Sequence, residues 1–347
     1  MSEKILRKAR TALLLLFVFA VVGYLIYTRI MAYSLAPTLE PKDFSKYAWY
    51  EVPFQFLWDY FSHGWICLLF AFVTAGLVYE FIPKQTITKY MSSSKVAGYA
   101  LGAGLAPLFT VCSCTMVPLF AGILYTGAGI GPAITFLLMA PAANILTILI
   151  TGEFISWEIA LVRIIVSLAT AVLAGVIISK TSWGKAIEKE HQISQSDVGT
   201  QQAVKLAKLS LDEKLISALK FGGYLAKQIL PYFILGLIVV SYVTAYTPQE
   251  IVEGYLTGIT GILLASVIGG PLYTPTLVEI VLGRSLLQLG MSNAALLSWL
   301  MGQPYDIPNM MAVSKIVRWK IVLTYALIAW ACSVIFGLLY GVTTGSL

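Results

Sequence analysis

Prolines interrupt the apolar runs of this chain at positions that recur. Pro83, Pro107 and Pro141 have counterparts in Pro248, Pro271 and Pro304, at spacings of 165, 164 and 163 residues, and Gly127 pairs with Gly290 at 163. The flanks match too: Phe81-Ile82-Pro83 answers Tyr246-Thr247-Pro248, and Pro107-Leu108-Phe109-Thr110 answers Pro271-Leu272-Tyr273-Thr274. A chain that repeats an apolar half must build the same unit twice. Interrupted segments at corresponding places in two such halves are where a membrane carrier builds its site.

The solvent of that fold follows from composition. Of 347 residues 58% are hydrophobic and only 12% charged, and the mean hydropathy is +0.82. Soluble domains carry roughly 25% charge. Runs long enough to cross about 30 Å of hydrocarbon recur along the chain, so an all-α polytopic membrane protein is expected. A barrel would need alternating stretches of about ten residues, and none occur. The net charge of +6 reads as positive-inside topology, with Lys and Arg gathered in loops, and no nucleic-acid partner is expected.

Along the chain, residues 1–30 form an N-terminal anchor helix, which is read as retained although Ser34-Leu35-Ala36 weakly resembles a cleavage site. Residues 31–63, rich in Trp and Tyr, form an outer-face interfacial segment with a helix at 48–62. A first repeat covers 64–179. Residues 180–220 hold seven lysines and five acids around a Gln/Ser-rich centre and form a cytoplasmic linker. A second repeat covers 221–347. About seven full spans are expected, near 11–27, 64–82, 131–151, 158–179, 221–245, 292–312 and 321–341.

Charge assigns the two halves opposite orientations. The loop after Pro83 carries Lys84, Lys89 and Lys95; its counterpart after Pro248 carries Glu250 and Glu253. Equivalent loops on opposite sides make an inverted-topology repeat. With both Lys84 and Lys185 cytoplasmic, residues 97–126 must return to their own side. At 1.5 Å per residue they are too short for two full crossings, so they form a broken, re-entrant hairpin. Residues 258–289 do the same from the other face.

The chemistry-bearing residues cluster at these breaks. The first tip reads Thr110-Val111-Cys112-Ser113-Cys114-Thr115 and the second Thr274-Pro275-Thr276. Non-helical backbone at membrane depth has to line a cavity or be buried in protein. There Cys112 and Cys114 offer two soft sulfurs to a small ion or thiophilic solute, and Thr110, Ser113, Thr274 and Thr276 offer hydroxyls. After the hairpins, Ala140-Pro141-Ala142-Ala143-Asn144 and Gln303-Pro304-Tyr305-Asp306-Ile307-Pro308-Asn309 break the following spans. Asn144 and Asn309 are expected to shape the substrate cavity, and Glu279 and Asp306 are coupling-ion candidates. Two further expectations concern charge: Glu279 either pairs with Arg284, five residues on, or carries a proton, and Arg163 snorkels toward its helix end. No metal site, catalytic residue or cofactor is expected; both histidines lie far from the thiols, and no nucleotide-binding motif is present. Small solutes or ions and the bilayer are the expected partners, and a homo-oligomer is compatible.

Thr110-Val111-Cys112-Ser113-Cys114-Thr115, followed by Pro118-Leu119, resembles the predicted-permease family that contains the organoarsenical efflux permease ArsP and the YraQ-like proteins. So do Gly127-Ala128-Gly129, Gly131-Pro132-Ala133 and Gly270-Pro271-Leu272-Tyr273 with Glu279 eight residues after Pro271. The resemblance runs over about 64–341. It implies a secondary permease of the cell (inner) membrane and, for its arsenical branch, efflux of trivalent organoarsenicals through Cys112 and Cys114. The expected function is alternating-access movement of a trivalent organoarsenical, a soft metal complex or a reduced sulfur compound. Two rivals are a membrane thiol-disulfide oxidoreductase using the same cysteines and a non-transporting membrane scaffold.

Overall fold

The computed structural model describes residues 3–35, 44, 46–110, 115–191, 210–246, 257–270 and 276–346, apart from the side chains of 3–7, 32–35, 63, 276 and 277. Among the described residues the chain is all helical, with no strand. The elements are α1 (Glu3–Leu35), α2 (Val52–Phe81), α3 (Lys84–Tyr90), α4 (Val96–Phe109), α5 (Met116–Thr126), α6 (Ile130–Ala142), α7 (Ile145–Phe154), α8 (Trp157–Lys180) and α9 (182–191). The second half holds α10 (Leu211–Tyr246), α11 (Gly258–Gly269), α12 (Thr276–Gln288), α13 (Asn293–Leu300), a 3₁₀ turn (Gln303–Tyr305), α14 (Ile307–Val313) and α15 (Trp319–Thr344).

Among the described residues six segments are long and apolar enough to cross a bilayer: Lys8–Met31, Gly64–Phe81, Ile130–Phe154, Trp157–Lys180, Leu211–Tyr246 and Trp319–Thr344. The seventh expected span, 292–312, is divided into α13, the 3₁₀ turn and α14. Pro304 and Pro308 lack the N–H that a continuous helix would need there. Three boundaries also differ. The aromatic segment is not a separate interfacial helix, because α2 runs unbroken from Val52 into the span. The linker begins as a helix, α9. Finally, α10 starts at Leu211, ten residues before the expected 221.

Both interrupted segments consist of two short helices around a tip. In the first, α4 rises to Thr110 and α5 descends to Gly127, where the chain meets its own starting point: the Gly129 N–H donates to Met91 O at 2.7 Å. The segment therefore returns to the side it left. Glu188 on α9 fastens this mouth, accepting from Ser93 Oγ at 2.7 Å and from the Ile130 N–H at 3.2 Å, the first amide of α6. A carboxylate at that end satisfies an orphan donor and matches the helix dipole.

The same local devices close both halves. Gly127 (φ 107°) and Gly290 (φ 101°) end α5 and α12 in the left-handed region, where glycine has no Cβ penalty. Each sits in the same pair of bonds: Gly127 N to Leu124 O with Ala128 N to Ile123 O, and Gly290 N to Leu287 O with Met291 N to Leu286 O. One turn into the next helix, Thr135 Oγ1 donates to Ala171 O at 3.2 Å, and Ser298 Oγ donates to Ser333 O at 3.0 Å. These cross-helix bonds lock α6 on α8 and α13 on α15.

Corresponding helices of the two halves pack against each other and run in opposite directions. Between α2 and α10, Glu80 meets Ser217 (3.1 Å), the Tyr79 ring stacks on Phe221 (3.8 Å) and Tyr60 lies beside Phe233 (5.8 Å between rings). Lower numbers on one helix meet higher numbers on the other. Glycine permits the approach: a Cβ on Gly76 would lie 2.1 Å from Ala218 O. Between α8 and α15, Tyr340 donates to Glu158 at 2.8 Å at one end, and Thr170 is hydrogen-bonded to Cys332 further along.

This register is directly testable by cross-linking in membranes with a short bifunctional thiol reagent. Tyr60→Cys/Phe233→Cys and Glu80→Cys/Ser217→Cys, in a background lacking native cysteines, should cross-link efficiently, while Tyr60→Cys/Ser217→Cys should not. The reverse pattern would mean that the helices are parallel.

Candidate functional site

The interior of a helical membrane bundle can be almost wholly apolar, so each buried polar group needs a reason. Here eight buried polar residues lie on or beside the broken helices of the two halves: Asn144, Thr147, Thr151, Arg163, Glu279, Gln303, Asp306 and Asn309.

At the centre is an ion pair between the halves. Arg163, on α8, is 1% exposed and lies 3.2 Å from Glu279, on α12, which is equally buried. Arg163 Nη2 donates to both Glu279 oxygens (3.4 and 3.2 Å) and to Leu300 O (3.2 Å), and Nη1 donates to Thr151 Oγ1 (3.3 Å). The Gln303 side chain is hydrogen-bonded to Glu279. Taking two charges from water costs several kcal/mol each, and good geometry with further hydrogen bonds offsets this. The pair draws those bonds from α7, α8, α12, the end of α13 and the 3₁₀ turn.

Two sequence expectations change accordingly. Arg163 does not snorkel: it is the seventh residue of α8, about 9 Å along the axis, and it turns inward to a carboxylate. Arg284 is not the partner of Glu279 but lies exposed over the Phe154 ring, 5.6 Å from its centre. The signal that would have found the true pair is a charge count. Arg163 is the lone cation inside 158–179, and a buried cation requires an anion from another segment.

The other candidates occupy matching breaks. Asn144 caps α7, its Oδ1 accepting from the Thr147 N–H at 2.9 Å, and its Nδ2 donates to Pro141 O at 3.4 Å. Asp306 caps α14 in the same way: Oδ1 accepts from the Asn309 N–H at 2.8 Å and Oδ2 from Asn309 Nδ2 at 2.6 Å. Asx residues at such positions satisfy the orphan amides of a helix start, and Pro141 and Pro308 shape the two breaks. Asp306 is fully buried rather than solvated. Tyr325, on α15, lies within reach of its charge, and the buried Tyr325 hydroxyl has no hydrogen-bond partner among the described residues. The same holds for the Asn309 Oδ1 and Thr147 Oγ1 atoms.

Thr110 is buried, and its hydroxyl is shared between Ala106 O and Ala140 O, which ties the tip to the end of α6. Cys112, Ser113, Cys114 and Thr274 lie outside the described residues, as does the side chain of Thr276. Two open clefts, of about 450 and 320 Å³, lie at Lys8–Leu15 with Ser210–Asp212 and at Ser182–Ala186 with Arg318–Lys320. Neither touches the buried seam. Among the described residues no cluster of metal-ligating side chains occurs.

Relatives connect this arrangement to a family. The profile of the family described as "Predicted permease" matches residues 54–342, which takes in α2 to α15. The chain belongs to the predicted-permease family. A UPF0718 protein of Methanocaldococcus jannaschii is 29% identical over 80% of this chain and 91% of its own length. The UPF0718 protein YraQ of Escherichia coli is 21% identical over 80% and 78%. A Streptococcus mutans protein, provisionally named a two-component membrane permease complex subunit, is 22% identical over 79% and 90%. No solved structure matches the chain. Membership in this family makes the protein a membrane permease.

Removing one partner of the pair should be costly. Glu279→Ala leaves a guanidinium buried without a counter-charge and is expected to lower stability by about 3–5 kcal/mol. Glu279→Gln, whose amide oxygen still accepts from Nη2, should lose less. Unfolding of the purified protein in mixed micelles measures both, and a Glu279→Ala variant as stable as the wild type would mean that the pair does not stabilise the bundle.

Proposed function

We propose that this permease moves a small thiophilic solute across the cell (inner) membrane by alternating access between two inverted-topology halves. The solute class is that of a trivalent organoarsenical, a soft metal complex or a reduced sulfur compound. The observation that carries this reading is the buried polar seam at the matched helix breaks, joined across the halves by Arg163 and Glu279. A scaffold has no need of charged groups there, whereas a carrier uses broken helices and intramembrane charge to bind solute and coupling ion.

In this reading Cys112 and Cys114 contact the solute through soft sulfur, assisted by Ser113 and by the hydroxyls of Thr110, Thr274 and Thr276. Asn144 and Asn309 shape the cavity at the starts of the half-helices α7 and α14, where Asn144 caps α7 and Asn309 bonds to the Asp306 cap. Glu279 and Asp306 are the sites at which a coupling proton would be held. The N-terminus and the 180–220 segment face the cytoplasm, on the charge pattern of the loops.

Everted membrane vesicles supply the test. Vesicles with the wild-type protein should accumulate methylarsenite, and Cys112→Ser/Cys114→Ser should reduce the initial rate by roughly tenfold or more, since a hydroxyl does not replace thiolate for a soft centre. Unchanged uptake in the double variant would remove the thiol role.

A further inference from the structure

Resting on that permease reading, we propose that the transported solute carries a negative charge and binds side-on to Arg163 in exchange with the Glu279 carboxylate. The site would take a small oxyanion.

The geometry of the guanidinium is the basis. Nε and Nη2 share one edge of the planar group, the edge that takes a carboxylate or similar anion through two parallel N–H···O bonds. Glu279 does not use that edge fully. Both its oxygens sit on Nη2, at 3.4 and 3.2 Å, and the buried Nε has no hydrogen-bond partner among the described residues. One turn further along α8, on the same side of the helix, the buried Ser167 hydroxyl likewise has no hydrogen-bond partner among the described residues. Arg163 thus presents a half-used fork, and the next turn of its helix carries a second unpaired polar group. The Glu279 carboxylate stands where an anion of the same shape would bind.

Charge balance dictates how the exchange proceeds. An Arg163 without a counter-anion is too costly at this depth, so Glu279 leaves only as an anion arrives. A displaced Glu279 faces the same penalty and takes up a proton. The anion therefore moves with a proton, and the net charge of the seam is the same before and after. The exchange also releases α12, part of the second hairpin, from α8 in the first half. That gives solute binding a direct hold on the contact between the halves.

Few other charges bear on Glu279. Arg163 faces it from α8. On α7 the one ionisable side chain is Glu153, exposed at the far end; α13 has none; and Arg284, on α12 itself, is exposed over Phe154. Asp306 lies beyond the 3₁₀ turn, occupied with Asn309.

The test is a set of ligand titrations followed by thermal unfolding of the full-length protein in detergent, with thiosulfate, sulfate and methylarsenite as probes at mildly acidic and mildly alkaline pH. A ligand that binds only the folded state raises the midpoint. Thiosulfate should stabilise the wild type, with affinity roughly tenfold higher at the acidic pH. Glu279→Gln, already neutral, should bind thiosulfate equally well at both. Arg163→Lys keeps the charge but loses the fork and should bind roughly tenfold more weakly. Should Arg163→Lys not fold, the loss of pH dependence in Glu279→Gln carries the test. Equal stabilisation by sulfate would still support an anion site. Stabilisation by methylarsenite with no response to either anion, in the wild type and in Glu279→Gln, overturns the proposal and leaves the permease reading intact. If no probe responds, the anion proposal falls, and vesicle uptake decides the permease reading separately.

Discussion

A charge cannot stay inside a membrane protein alone, and Arg163 is deep in this one. Its need for a counter-charge links parts of the chain more than a hundred residues apart: Glu279 from the second hairpin, Thr151 from α7, Leu300 O from the end of α13 and, through Glu279, Gln303 from the 3₁₀ turn. The apolar contacts of the bundle would tolerate sliding, because lipid is as apolar as leucine. The ion pair would not. It fixes the second hairpin against α8 and thereby sets the register in which the two halves meet.

The breaks beside the pair follow from a second constraint, that every backbone amide and carbonyl at membrane depth needs a partner. Proline removes donors at Pro141, Pro304 and Pro308, and the short helices that restart beyond them expose fresh N–H groups. Asn144 and Asp306 cap those starts with the same geometry, 162 residues apart. The repeat is therefore more than a likeness of apolar runs. It extends to left-handed glycines, cross-helix hydroxyl bonds and side-chain caps, and corresponding helices pack antiparallel at Tyr60–Phe233 and Glu158–Tyr340.

Much of this was legible in the residues. The expected bounds 97–126 and 258–289 placed both pairs of short helices to within a residue or two, and Gly127 and Gly290 marked their ends. The apolar runs located six spans. The 292–312 stretch was read as one span with a proline break, whereas its two prolines and Asp cap, acting through backbone bonding rather than hydropathy, divide it into separate short helices. The aromatic segment before residue 64 was separated from its span because interfacial rings and an ordinary helix start look alike in sequence. Asn144, Glu279, Asp306 and Asn309 stood out as polar groups in apolar surroundings, but their partners did not, since pairing depends on tertiary packing. Arg163 was misplaced for that reason: position along a helix says nothing of the face on which a neighbour waits.

The central claim is that a buried ion pair between the halves holds the permease together. Reversing its charges tests this most directly. Arg163→Glu and Glu279→Arg each place like charges together, and the double variant restores an opposite pair. Unfolding of the three variants in mixed micelles should show both single variants severely destabilised and the double variant recovering about 3 kcal/mol relative to the sum of the two. A double variant no more stable than that sum would mean that the two residues do not meet and would contradict the account.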